Sequence, residues 1–248
     1  WFMIDQEIGY IRLNRFAQSS NEEMVQAITE LQSEGMQSLI LDLRGNGGGY
    51  LNVAVDICDQ FLSGDKLIVY TKGAKSPRQE LKAQKKGLFE QGRLVIMVDE
   101  SSASASEILS GAVQDWDRGV IVGRRTFGKG LVQRPFDMYD GSQIRLTTSR
   151  YYTPSGRCIQ KPYDAGVEEY QMDYYNRLSH GELLSADSVH FADSLRCFTS
   201  GNRLVYGGGG IMPDVFVPID TMRASDYMIN LRSKGLFNSF ALNWTEEN

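Results

Sequence analysis

The chain has 248 residues, 42% of them hydrophobic and 23% charged, with a formal net charge of -5 and a pI near 5.2. That composition can bury a sizeable core in one large domain or two small ones, and its acidic balance, without a basic stripe, argues against a nucleic-acid partner. The longest apolar stretches, such as Ser38 to Leu43 and Leu94 to Val98, are strand-sized and fall far short of the roughly 20 residues of a membrane span.

The chain opens on Trp1 with no charged leader, apolar stretch or cleavage site, and so reads as a piece of a longer protein. Ile8 to Leu13 is rich in β-compatible residues and reads as a strand. Ser20–Asn21–Glu22–Glu23 supplies helix-start chemistry, Met24, Ile28 and Leu31 recur at helical spacing, and Gly35 offers a left-handed stop. Ser38 to Leu43 reads as a buried strand ending in the glycine loop Arg44–Gly45–Asn46–Gly47–Gly48–Gly49. Val53 to Leu62 has a helical period, and Leu67 to Tyr70 and Leu94 to Val98 are strands. Between those strands, the Lys-, Gln- and Gly-rich stretch from Lys72 to Gly92 reads as a solvated excursion, with a lid over a cleft as the alternative.

After Val98 comes the cluster Ser101–Ser102–Ala103–Ser104–Ala105–Ser106–Glu107, and an apolar stripe through Ile108, Leu109, Ala112, Val113 and Trp116 starts a helix inside it. Val120 to Gly123 is a short strand, and Leu131 to Met138 and Ile144 to Tyr152 form a hairpin turned at Asp140–Gly141. Alternating strands and helices favour an α/β layered structure. From Pro162 to Gly210 the periodicity weakens, which reads as an insertion rather than core. The three cysteines lack Cys-x-x-Cys spacing and the two histidines lack the zinc-protease pattern, so no metal and no cofactor is expected.

A serine at a helix start is ordinarily a cap. Ser104, however, follows a buried strand in a run of small residues, where the first N–H groups of a helix point out unpaired and can hold an oxyanion. The Ala105 N–H is the first candidate donor, and Gly48, on a loop whose glycines permit close backbone approach, is the second. With both histidines in the presumed insertion, a lysine is the better base. Lys129, flanked by glycines and apolar residues, is expected to be desolvated and so neutral enough to activate a hydroxyl. A strand would put Lys129, Leu131 and Gln133 on one face, letting Gln133 accept from the lysine and aim it. Taken alone, Lys129 is more readily a solvated turn residue.

Ser102 to Ile108, Thr126–Phe127–Gly128–Lys129–Gly130 and Gln133 resemble the carboxyl-terminal processing, or tail-specific, protease family, including the spacing of twenty-five residues from Ser104 to Lys129. Asp42 to Gly49, Tyr152 to Gln160 and Gly210 to Asp214 resemble further signatures of that family. The resemblance implies an α/β, Clp/crotonase-like protease core with a smaller β-rich subdomain. It makes Ser104 the nucleophile of a serine endopeptidase, Lys129 its general base and Gln133 the orienting partner, with Gly48 and Ala105 as the oxyanion hole. Asp115 and Glu107 are expected to be structural.

The implied organisation is a core of residues 1–160 and 207–222, an insertion of 161–206, a C-terminal extension of 223–248, and no PDZ domain. Its partner would be a protein or peptide substrate, with a homo-oligomer admitted, and its location extracytoplasmic, in a bacterial periplasm or envelope. The competing readings are a non-catalytic peptide-binding module of the same fold and, less well supported, a crotonase-like acyl transferase.

Overall fold

A computed structural model of the protein describes residues 1–220 and 225–247. Strands β1 (Phe2–Met3) and β2 (Ile8–Arg12) lead to helix α1 (Ser20–Ser33) and strand β3 (Ser38–Asp42). Helix α2 (Leu51–Asp59), strands β4 (Leu67–Lys72), β5 (Gln79–Lys82) and β6 (Arg93–Val98), helix α3 (Ala105–Asp115) and strand β7 (Val120–Gly123) follow. The second half carries β8 (Leu131–Asp137), β9 (Gln143–Tyr152), α4 (Val167–Ser179), β10 (Arg196–Phe198), β11 (Leu204–Tyr206), β12 (Val215–Phe216), α5 (Asp226–Ser233) and α6 (Leu236–Glu247).

The main sheet has the order β1-β2-β3-β6-β7-β12, parallel except for the antiparallel edge strand β1. Parallel strands are covered on both faces, which is why β3 and β6 are near-continuous Leu, Ile and Val rather than alternating. Leu39 pairs with Leu94 and Leu41 with Ile96, all of them buried. Helix α1 turns Met24, Ala27, Ile28 and Leu31 to the core, and Gly35 ends it at a φ of 105°. Helix α3 is buried along its whole length, so it is built of small and apolar residues. A Cβ at Gly111 would lie 2.8 Å from Thr153 and 3.0 Å from Ile211, showing how closely the late segments pack on it.

A second, antiparallel sheet has the order β5-β4-β9-β8, and β10 and β11 pair as a small hairpin. This is the layered α/β core with a smaller β-rich part. The stretch from Lys72 to Gly92 is largely exposed, as expected of a solvated excursion, but it is tied to the core, because its β5 pairs with β4 while Ala83 and Phe89 are buried. Its anchor is long-range: the Asp59 carboxylate accepts the Gln84 and Lys85 N–H groups, a contact invisible to local periodicity.

Residues Trp1–Val217 form one compact unit, which includes the segment expected to be an insertion. That segment is structured, with α4 and the β10–β11 hairpin, and it buries Leu183 and Arg177. Residues Pro218–Asn248 form a second unit made of α5 and α6, in which the Phe240 and Trp244 rings stack. The boundary expected between residues 222 and 223 lies outside the described residues.

Neighbouring parallel strands release their following loops at the same edge of the sheet. Because β3, β6 and β7 are adjacent, the glycine loop, the serine cluster and the turn carrying Lys129 all leave that carboxyl edge side by side.

Candidate active site

Two of the three serines at positions 102, 104 and 106 are spent on structure. Ser102 Oγ donates to the Leu43 carbonyl at 2.8 Å and accepts the Asp99 N–H at 2.9 Å, and Ser106 Oγ donates to the Asn46 carbonyl at 2.9 Å. The Asn46 carbonyl also accepts the Ala103 N–H at 3.0 Å, so the glycine loop is docked against the serine cluster. Ser104 is different: half-buried at the N-terminus of α3, its hydroxyl faces the Glu107 N–H of a capping box and donates to none of the described residues.

Its backbone is strained as well, with φ 57° and ψ -110°, a combination that a non-glycine residue adopts only when its surroundings enforce it. Such a sharp strand-to-helix turn lifts a side chain out at the head of the helix, the local geometry of a nucleophile elbow. The Ala105 N–H, the first of the helix, has no acceptor among the described residues and lies where the helix dipole is positive.

Glu107 enforces this geometry. Its buried carboxylate is surrounded by four donors: Oε1 accepts from the Thr126 hydroxyl and the Gly128 N–H, each at 2.6 Å, and Oε2 accepts from the Ser104 and Lys129 N–H groups, each at 2.8 Å. Sharing Oε2 holds the Ser104 and Lys129 backbone nitrogens within two hydrogen-bond lengths, under ~6 Å, of one another. Burial pushes the Glu107 carboxyl above its ordinary value, and the four hydrogen bonds pull it back only in part. Sequence reasoning placed Glu107 at the helix start, where it does sit, but missed that it also grips the lysine turn. The acidic residue three positions after the N-cap was the only local signal.

Lys129 departs from expectation in its burial. Its side chain is exposed, and its ammonium makes no hydrogen bond to Ser104 or Gln133. The lysine that is desolvated near this turn is Lys161, 4% exposed, which burial pulls below its ordinary value while Asp173 pulls back. Lys161 is not free to act as a base, because its ammonium is wedged between the Phe127 and Tyr170 rings, 4.0 and 4.1 Å from their centroids, and paired with Asp173 at 2.8 Å. Gln133, at the start of the exposed part of β8, lines the same cavity as Lys129 and Leu131, although Lys129 precedes the strand and the β8–β9 register shifts between Val132 and Gln133, so the three do not share a face by simple alternation.

Gly48 comes as close to Ser104 as expected, since a Cβ there would lie 2.8 Å from Ser104 Cβ and 2.9 Å from the Ala105 nitrogen. Its N–H, however, donates to Asn46 Oδ1 at 2.8 Å. Acting as an oxyanion donor therefore requires that bond to be exchanged, and the reason is local: Asn46, two residues back, is fixed by its own donation to the Leu13 carbonyl at 2.7 Å. Asp115 has a structural setting, pairing with buried Arg157 through Oδ1 and accepting the Ser155 N–H at 2.9 Å through Oδ2. This ties the Tyr152 to Gln160 signature to α3.

The sequence model of peptidase family S41 matches residues 7–169. The carboxyl-terminal-processing protease of Synechocystis is 34% identical over 206 residues, which span 83% of this chain and 47% of that protein. The chloroplastic carboxyl-terminal-processing peptidase 3 of Arabidopsis thaliana is 40% identical over 150 residues, 59% of this chain and 28% of that protein. Among solved structures, a photosystem II D1 C-terminal processing protease superposes with a TM-score of 0.62 at 30% identity, covering 85% of this chain and 42% of its own. The chain thus spans about half, or less, of the length of these relatives. Among the described residues, no helix is long and apolar enough to cross a membrane.

Proposed function

Since the chain belongs to peptidase family S41, we propose that it is the catalytic core of a serine endopeptidase that works through a Ser104–Lys129 dyad and cleaves protein or peptide substrates near their carboxyl termini. The observation that carries the reading is the single Glu107 carboxylate, which fixes the strained Ser104 turn and the Lys129 backbone at one point. In this mechanism Lys129, in its neutral form, takes the Ser104 proton as Oγ attacks the peptide carbonyl. The oxyanion develops toward the Ala105 N–H and, once freed from Asn46, the Gly48 N–H. The protonated lysine then returns its proton to the leaving amine, and water releases the acyl group from Ser104 by the reverse sequence. Gln133 orients the Lys129 side chain when the two close on substrate.

Cleavage near the carboxyl terminus is supported by the names of the relatives, whereas a location outside the cytoplasm, in a bacterial periplasm or envelope, rests on the family resemblance alone. A homo-oligomer is admitted by the same reading. The second reading, a peptide-binding module of the same fold without turnover, is favoured by the absence of a Ser104–Lys129 hydrogen bond and by the engaged Gly48 N–H. Casein or peptide cleavage by the wild type, Ser104→Ala and Lys129→Ala separates the two. The dyad requires activity in the first and none in the others, and mass analysis of the products locates the cut. Equal rates in all three would sink the dyad, and no turnover with peptide binding intact would establish the module.

A further inference from the structure

Beside Lys129 lies a cavity of about 340 Å³ with two walls of different origin. One is the start of β8, contributing Lys129, Leu131 and Gln133, and the other is the 161–206 segment, contributing Tyr163, Val167 and Tyr170. Its volume is at the small end of ligand sites, and its surface is aliphatic and aromatic apart from the Lys129 and Gln133 ends at the rim.

The second wall is fastened to the catalytic turn itself. The Lys161 N–H donates to the Gly128 carbonyl at 2.9 Å, and its ammonium reaches the Tyr170 carbonyl at 3.3 Å as well as Asp173. Arg177, 4% exposed, donates to the Thr126 carbonyl at 3.2 Å and to the Arg125 carbonyl. Helix α4 is thereby latched to residues 125–128, the stretch that Glu107 holds against Ser104. A wall so fixed presents a set shape rather than an adaptable loop.

We propose that this cavity takes an apolar side chain flanking the scissile bond, and that Tyr163, Val167 and Tyr170 of the 161–206 segment determine which side chain enters. The inference rests on the serine-peptidase reading, because it is the placing of Lys129 at the rim that puts the cavity next to the bond being cut. A fixed apolar pocket separates side chains by size, with a single methylene already worth about tenfold or more. Filling the pocket therefore penalises large residues and spares small ones.

Val167, 72% exposed in the first turn of α4, can be enlarged without disturbing the core. Three peptides identical except for Ala, Leu or Phe before the scissile bond are assayed with the wild type and Val167→Trp. The Leu and Phe peptides are expected to lose about tenfold in kcat/KM while the Ala peptide changes less than about twofold. A loss common to all three peptides, or no loss in any, would overturn the assignment. Binding of the same peptides by fluorescence anisotropy, with Ser104→Ala and Ser104→Ala/Val167→Trp, should show the same size order in Kd. That measurement needs no turnover, so it judges the pocket even if Ser104→Ala still cleaves and the dyad reading fails.

Discussion

Replacing Glu107 perturbs the carboxylate that hydrogen-bonds to both Ser104 and Lys129, and its two variants separate charge from hydrogen bonding. In Glu107→Gln one buried oxygen becomes an NH2 that cannot accept. The Thr126 hydroxyl can rotate to accept, whereas the backbone N–H groups cannot, so the amide nitrogen turns toward Thr126 and its oxygen keeps Ser104 and Lys129. The Gly128 N–H is then orphaned and the Thr126 hydroxyl, which already accepts the Ile211 N–H, gives up its own acceptor, at a cost of about 1–3 kcal/mol. Glu107→Ala orphans all four donors and costs about 3–5 kcal/mol, the range for breaking a buried charged network by removing one partner.

Urea unfolding and peptide cleavage of both variants test this. The Gln variant should keep activity within about tenfold of wild type, and the Ala variant should lose it along with the larger stability. A fully stable, fully active Glu107→Ala protein would refute the role given to this carboxylate. Linkage adds a pH signature. The Glu107 carboxyl is raised in the folded protein, so its favourable contribution is complete below its ordinary value of 4.5 and is lost as pH rises through the folded value. The stability advantage of wild type over Glu107→Gln should therefore narrow as pH increases from that point.

Gly48→Ala puts a methyl group 2.8 Å from Ser104 Cβ at a φ of 98°, and cleavage should fall more than about tenfold. Gly45→Ala has a comparable φ of 73° but open space around its Cβ, so it reports the backbone strain alone, and equal losses from the two would show that contact with Ser104 is irrelevant. Asp115→Asn breaks the pair with Arg157, both side chains 1% exposed, and should lower unfolding stability by about 3–5 kcal/mol without changing the specific activity of the folded fraction. A change below about 1 kcal/mol in denaturant titration would contradict that placement.

The four inner strands of the main sheet were legible because their signals are local, β3 and β6 being continuous apolar runs and α1 an apolar helical stripe, whereas the two-residue strands β1 and β12 at its edges carry no periodic signal. The closeness of the serine cluster to the lysine turn was legible as a pattern of spacing, since the two segments follow adjacent strands. What the sequence concealed was long-range. Nothing near Lys72 to Gly92 announces that Asp59 anchors it, and nothing near Glu107 announces Gly128 and Lys129 twenty residues on. Burial of the lysine was misjudged for the same reason. Glycines beside Lys129 suggested a desolvated turn, but the aromatic cover comes from Phe127 and Tyr170 and closes over Lys161 instead.

The reactivity of Ser104 itself tests the dyad without assuming a substrate. The full chain is treated with a serine-reactive fluorophosphonate, the modified residue is located by peptide mass analysis, and the rate is compared with that of Lys129→Met, which keeps the chain length of the lysine without its amine. The dyad predicts labelling at Ser104 and a loss of about a hundredfold or more in rate for the variant, in the range of a general base's contribution. Labelling of another serine, or equal rates in the two proteins, would contradict it.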